Sequence, residues 1–238
     1  MLSLKNISYK IKENGKEKEI LKDISFNFHF GENYVITGAN GSGKSTLAKV
    51  IMGILPATSG KILLNGKDIT CLGITERAKL GIAFAMQQPI RFKGFSTKDL
   101  LSIASSKEES TSSSCDYMSK VGMCARDYLS RKLDSTLSGG EMKRIEIATV
   151  LARNAKINIF DEPEAGIDIW SFNSLVNIFK NTLKEDNMNI IISHQEKLFK
   201  NADKIILIDD GKIKAYGKTE KILPKLDSFN SCKKLEEK

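Results

Sequence analysis

Early in the chain, apolar residues alternate with polar ones: Leu2, Leu4 and Ile7, then Ile20, Ile24, Phe26, Phe28 and Phe30, then Ile62 and Leu64. A period of two puts one side of an extended segment against a core and the other in water, so these read as strands. Asn14-Gly15, Gly31 and Asn65-Gly66 supply turns between them, and an antiparallel sheet is expected. Tyr34-Val35-Ile36-Thr37 reads instead as a short buried strand, and from Lys44 the apolar Leu47, Ala48, Ile51 and Met52 recur with helical spacing. Between residues 89 and 135 the pattern is helical and broken by a Ser-rich stretch, Ser102 to Ser114, read as partly flexible surface; this region is expected to form a helical subdomain. Ile145, Ala148, Thr149, Leu151 and Ala152 mark another helix. Strand-like Ile157 to Phe160, Ile190 to Ser193 and Ile205 to Ile208 then alternate with helices, which predicts a mostly parallel sheet, and the charged end, Lys233 to Lys238, is expected to fray.

Composition fits this outline. A chain of 238 residues, 41% hydrophobic, can bury a substantial core, and one α/β domain with a helical insert accounts for residues 1–238. The longest apolar runs, such as Ile205 to Ile208, fall far short of the roughly 20 residues that span a bilayer, and Met1 to Lys10 alternates polar with apolar. A soluble, unsecreted, cytoplasmic protein without direct membrane insertion is expected. Cys71, Cys115, Cys124 and Cys232 lack the close pairing of a zinc or iron-sulfur site and read as free thiols, so any metal-cluster chemistry would occur on another chain. The formal charge of +8 invites a nucleic-acid reading. The lysines are scattered, however, and no aromatic-interleaved basic block accompanies them, so no nucleic acid is expected as a partner.

The chemistry concentrates in three places. Gly38-Ala39-Asn40-Gly41-Ser42-Gly43-Lys44-Ser45 has the form G-x-x-x-x-G-K-S between a strand and a helix. Glycines let successive N–H groups converge on phosphate oxygens with the positive end of the helix dipole behind them; Lys44 would reach the β- and γ-phosphates and Ser45 would ligate Mg²⁺. The alternative is a merely Gly-rich turn before a helix. Leu137-Ser138-Gly139-Gly140-Glu141 opens a second helix whose N-terminus offers N–H groups to an anion. Ile157 to Phe160 ends in Asp161 and Glu162, adjacent acids that can turn to different tasks, Asp161 in the Mg²⁺ shell and Glu162 polarising the attacking water. Their alternative role is to cap a helix after Pro163.

With these motifs goes a glutamine at Gln87, the run Ala165-Gly166-Ile167-Asp168 and a histidine at His194, in the order found in ATP-binding cassette (ABC) ATPases, which the chain resembles over nearly all its length. The resemblance implies an α/β fold, an ABC-type P-loop NTPase core with an antiparallel β subdomain and a helical subdomain, and an ATPase that uses ATP and Mg²⁺. It implies that Gly38 to Ser45 and Thr46 hold the nucleotide, that Gln87 joins Ser45 and Asp161 around the metal, that His194 contacts the γ-phosphate, and that Asp168 belongs to the D-loop. Gln87 and Gln88 compete for the glutamine role, with Gln87 preferred as the residue directly after the probable strand end Phe84-Ala85-Met86. Tyr9 either stacks on adenine or simply packs in its strand. The family also implies a transient, ATP-dependent head-to-tail homodimer in which Ser138, Gly139 and Gly140 of one cassette cover ATP held by the other.

Within the family, residues 81–89 with the following Gly94, residues 138–144, residues 161–168 and His194-Gln195-Glu196-Lys197-Leu198 resemble the SufC group, the ATPases of the SufBCD iron-sulfur cluster assembly system. That likeness implies SufB- or SufD-like scaffold proteins as partners, docked from about Ile90 to Leu101. Gln88 where an aromatic is usual, Ala165 in place of a D-loop serine and the short Ser-rich helical region depart from that group's pattern. The alternative is the ATP-binding subunit of an ABC transporter. A third class, the soluble ABC proteins of translation or DNA repair, is opposed by the single cassette and by the lack of a long coiled-coil insertion.

Overall fold

A computed structural model describes residues 1–13, 15–105 and 111–224. Asn14, the middle of the Ser-rich stretch, Cys232 and the charged tail therefore lie outside the described residues. The elements run β1 (Leu2–Glu13), β2 (Lys16–Phe28), β3 (Asn33–Thr37), α1 (Lys44–Met52), β4 (Ser59–Leu64), β5 (Lys67–Asp68), α2 (Ile74–Lys79) and β6 (Ile82–Ala85). They continue with α3 (Thr97–Ser105), α4 (Thr111–Lys120), α5 (Ala125–Tyr128), α6 (Gly139–Ala152), β7 (Ile157–Asp161), α7 (Ile169–Thr182), β8 (Met188–Ile192), α8 (Glu196–Phe199), β9 (Lys204–Asp209) and β10 (Lys212–Lys218).

The alternating segments form the expected antiparallel sheet, ordered β2-β1-β4-β5. Asn65 and Gly66 turn the chain from β4 to β5 with φ of 49° and 82°, the left-handed pair that a tight hairpin needs. A second sheet has the order β10-β9-β3-β8-β7-β6, parallel except for the β10 edge strand, which returns antiparallel to β9. Its central strands are buried on both faces and are therefore mostly apolar, with one asparagine in each of β3, β7 and β8. Tyr34, Ile36, Ile190 and Ile206 face a core shared with α1 and the antiparallel sheet. Val35, Phe160, Ile191 and Ile205 face the other core, built with α6 and α7. At about 1.5–3 kcal/mol for each large apolar side chain, this two-sided burial drives assembly of the sheet.

Two departures from the sequence reading have physical causes. Ser102 to Ser105 complete α3, and residues 111–114 open α4 with Ser114 fully buried, so serine content there does not mark a surface loop. No helix starts at Pro163: residues 163–166 form turns and α7 begins at Ile169, which removes the helix-cap alternative for Asp161 and Glu162. Asn158, Asn189 and Asn33, paired in register on adjacent strands, are buried. Their amides form a ladder, Asn158 to Asn189 at 3.1 Å and Asn189 to Asn33 at 2.8 Å, which ends on the Phe179 carbonyl of α7. Among the described residues no helix is long and apolar enough to cross a membrane, and Cys71, Cys115 and Cys124 are free and exposed.

Candidate functional site

Parallel strands end on one side of a sheet, and that is where an open α/β fold gathers its functional groups. β3 delivers Gly38, β6 delivers Met86 and Gln87, β7 delivers Asp161 and Glu162, and β8 delivers Ser193 and His194. Gly38 and His194, far apart in the chain, thus share one edge because β3 and β8 pair in parallel.

The loop after β3 is shaped by contacts only glycine permits. Gly38 has φ +142°, and a Cβ there would lie 1.8 Å from the Ile208 carbonyl oxygen. Gly43, at φ +104°, caps α1, and its Cβ would fall 2.9 Å from Leu21 Cδ2. Asn40 and Gly41 form the exposed outer tip, beside half-buried Ala39, while Ser42 and Lys44 are buried and Ser45 and Thr46 half-buried at the start of α1. Lys44 Nζ donates to the Gly38 and Ala39 carbonyls at 2.9 Å each. Burial lowers its pKa, opposed by the nearby charges of Glu162 and Asp161.

Ser45 Oγ donates to Asp161 Oδ1 at 2.9 Å. Asp161 is 1% exposed, and burial raises its pKa. Glu162 follows with φ +46°, a left-handed conformation costly for a residue with a side chain and typical of functional positions. Its own N–H is held by the Ile192 carbonyl at 3.0 Å. Gln87 Nε2 donates to Glu162 Oε2 at 2.8 Å; both Gln87 and Gln88 are exposed, and Gln88 makes no such contact. Gln87, expected beside the metal with Ser45 and Asp161, makes its side-chain contact in this structure with Glu162. His194 is exposed overall, yet desolvation and then the Lys44 charge lower its pKa, with Glu162 opposing. His194 therefore belongs to the same cluster. Asp168 is exposed at the start of α7, and Tyr9, half-buried and paired with Leu21 across β2, packs against the core beside the loop.

The second glycine motif stands apart. Ser138 is the N-cap of α6 in a reciprocal box: its Oγ accepts from Glu141 N–H at 3.2 Å, and Glu141 Oε2 accepts from Ser138 N–H at 2.7 Å. Tyr128 and Arg131 bind the other Glu141 oxygen, and the Tyr128 hydroxyl above all holds the carboxyl down at about 2. A Cβ on Gly140 would meet the Gly166 carbonyl at 2.4 Å, so the signature and the D-loop touch within one chain. Ser138 and Gly139 are exposed, and among the described residues no hydrogen bond joins 138–141 to 38–46.

Two groups that sequence reasoning missed stand behind this edge. Lys143 and Glu146 on α6 are tied to the ends of β6 and β7, and Glu164 accepts a hydrogen bond from Ser193 beside His194. A Lys and a Glu three apart on a helix are ordinarily a solvated pair, so spacing alone did not distinguish them.

The residues present suit a nucleoside triphosphate with Mg²⁺. The glycines bring backbone close where a Cβ could not fit, Ser42 Oγ is buried without a partner, and Lys44 uses two of its three donors on the loop itself. Ser45 and Asp161 offer hard oxygens, the donors Mg²⁺ takes alongside substrate phosphates.

Known proteins agree. The family profile described as "ABC transporter" matches residues 21–165. An uncharacterized ABC transporter ATP-binding protein of Methanocaldococcus jannaschii is 38% identical over 204 residues, covering 82% of each chain. The iron-sulfur cluster assembly protein SufC of Plasmodium falciparum is 36% identical over 196 residues, 76% of this chain and 56% of that one. In fold, the dimeric ATP-binding cassette MJ0796, bound to ADP and Pi after hydrolysis, superposes with a TM-score of 0.82 at 22% identity, covering 92% of this chain and 99% of that one. A phosphate loop, an acidic strand end and a remote signature on one such scaffold, together with these relatives, place the chain in the ABC transporter family, as one of its ATP-hydrolysing cassettes acting on ATP with Mg²⁺.

Proposed function

We propose that residues 38–46 bind the triphosphate, that Ser45, Asp161 and Gln87 hold Mg²⁺, and that Glu162 is the base that polarises the attacking water, with His194 facing the γ-phosphate. The observation that carries this reading is the convergence of Lys44, Ser45, Asp161, Glu162 and Gln87 through direct contacts at the ends of three strands. Bound Mg²⁺ would draw charge from the phosphate oxygens. The third Lys44 N–H is available to a phosphate oxygen, and Glu162, released from Gln87, presents a carboxylate to water. Tyr9, beside the loop, is the candidate for the adenine face. The site becomes complete when Ser138, Gly139 and Gly140 of a second cassette close over it, in a head-to-tail, ATP-dependent homodimer with Asp168 at the contact.

We read residues 1–238 as one cassette, with 89–135 as its helical subdomain, and infer that it works in the cytoplasm as the ATPase of an iron-sulfur cluster assembly machine like SufC, moving a SufB- or SufD-like scaffold. The SufC relative and the four SufC-like segments support this. An apolar groove of about 180 Å³ lies next to Gln87, lined by Phe84, Met86, Ile90, Phe92, Leu100 and Met142, and offers a place for the partner. Phe92 and Phe95 are 41% and 42% exposed, so charge can be introduced there without opening the core. The second reading, ATP-binding subunit of a transporter, is supported by the family description and by the methanogen relative.

Affinity purification from the native cell separates the two. A soluble scaffold recovered with the parent chain, and lost with Phe92→Asp while the melting temperature and ATP affinity hold, is the expected result. Stable recovery with a multi-spanning permease from washed membranes, and never with a soluble scaffold, selects the transporter.

A further inference from the structure

Lys143 is fully buried, one turn inside α6, the helix whose N-terminus carries the signature. Its ammonium donates to the Met86 carbonyl and to the Asp161 carbonyl at 3.3 Å, and lies 3.2 Å from Glu146 Oε2. Glu146 Oε1 in turn accepts the Met86 N–H at 2.9 Å. Both backbone groups of Met86 are therefore held by α6, and the same ammonium holds the residue that precedes Glu162. Met86 precedes Gln87, and Gln87 and Glu162 are joined through their side chains. A buried charge is costly to keep, and a well-packed apolar pair in the same volume would be at least as stable, so stability alone does not explain it.

We propose that the Lys143–Glu146 pair is a positioning device that sets Gln87 against Glu162 and links both to the signature end of α6. The pair acts by fixing the two chain segments from which Gln87 and Glu162 project. Movement of α6 when its N-terminus meets a second cassette is passed through Lys143 to Met86 and Asp161 together. The two side chains then separate or engage as a unit. This proposal rests on the assignment of Glu162 as the base.

The test is a double-mutant cycle between the pair and Gln87, using the full-length chain. Lys143→Met with Glu146→Gln removes the buried charge and its half-buried partner, keeps the side-chain lengths and leaves an acceptor for the Met86 N–H. Turnover at saturating ATP should fall by about tenfold or more, with ATP affinity within about twofold of the parent, since the phosphate loop is untouched. Gln87→Ala should lower turnover in the parent but change it less than about twofold when added to the pair variant, because the glutamine is no longer held in register. Independent, multiplicative losses would reduce the pair to a packing feature and overturn the proposal, as would unchanged turnover in the pair variant. If the pair variant loses its cooperative melting transition, Lys143→Gln takes its place in the cycle with the same expectations. Glu162→Gln is measured alongside: parent-like turnover there would defeat the assignment of the base, whereas loss of turnover with an additive cycle would defeat only the positioning role.

Discussion

At Glu162 a left-handed backbone places a carboxylate directly after the strand that carries Asp161, and the Ile192 carbonyl holds it there. The two acids meet different surroundings: Asp161 is buried against Ser45, while Glu162 is half-exposed and paired with Gln87. Replacing Glu162 by Gln keeps the shape and removes the proposed base, so ATP should still bind while turnover falls by about 10² to 10⁴, the usual loss for a positioned base. Lys44→Ala should act earlier, removing the ammonium that the loop holds ready for phosphate. Calorimetric titration with ATP should show binding lost in Lys44→Ala and kept in Glu162→Gln. Equal affinity in Lys44→Ala and the parent would defeat the phosphate-loop assignment.

The N-terminus of α6 has a pH signature that follows from its cap. Glu141 accepts from Tyr128, from the Ser138 backbone and from Arg131, and its carboxyl is held at about 2 against an ordinary 4.5. A carboxylate depressed in the folded state stabilises the fold above its unfolded pKa, and that stabilisation is lost as pH falls through the folded value. The stability difference between the parent and Glu141→Gln should therefore be full near neutral pH and shrink between about pH 4.5 and 2. Denaturant melts at several pH values will check this. A difference that stayed constant down to pH 2 would mean that the cap does not depend on the carboxylate charge.

For the whole molecule, the decisive fact is that Ser138 and Gly139 are exposed while the phosphate loop they would serve is held by other elements of the same chain. The proposed composite site between two chains would resolve this separation. Ser138→Arg places bulk and charge where the opposing nucleotide would dock and leaves the loop of each monomer intact. ATP should still bind, but hydrolysis should collapse. Because Ser138 is also the cap of α6, its loss costs about 1 kcal/mol of helix stability, and melting must be followed in parallel. Turnover equal to the parent at saturating ATP would exclude the head-to-tail arrangement.

Residues 38–45, 138–141 and 161–162 were legible from sequence because their chemistry needs particular residue types at short range: glycines where a Cβ cannot fit, a cap three residues from its acid, carboxylates at a strand end. The strands were legible too, since burial on one face or on both leaves a period in the pattern. Strand order left no such trace, and it is the pairing of β6 with β7 that brings Gln87 to Glu162. The buried charges were equally hidden. Lys143 and Glu146 have the spacing of a surface pair, and Ser114 and Asn189 have the composition of a loop or turn. Whether a polar side chain is solvated or enclosed depends on what packs over it from distant parts of the chain, and only the tertiary structure decides that.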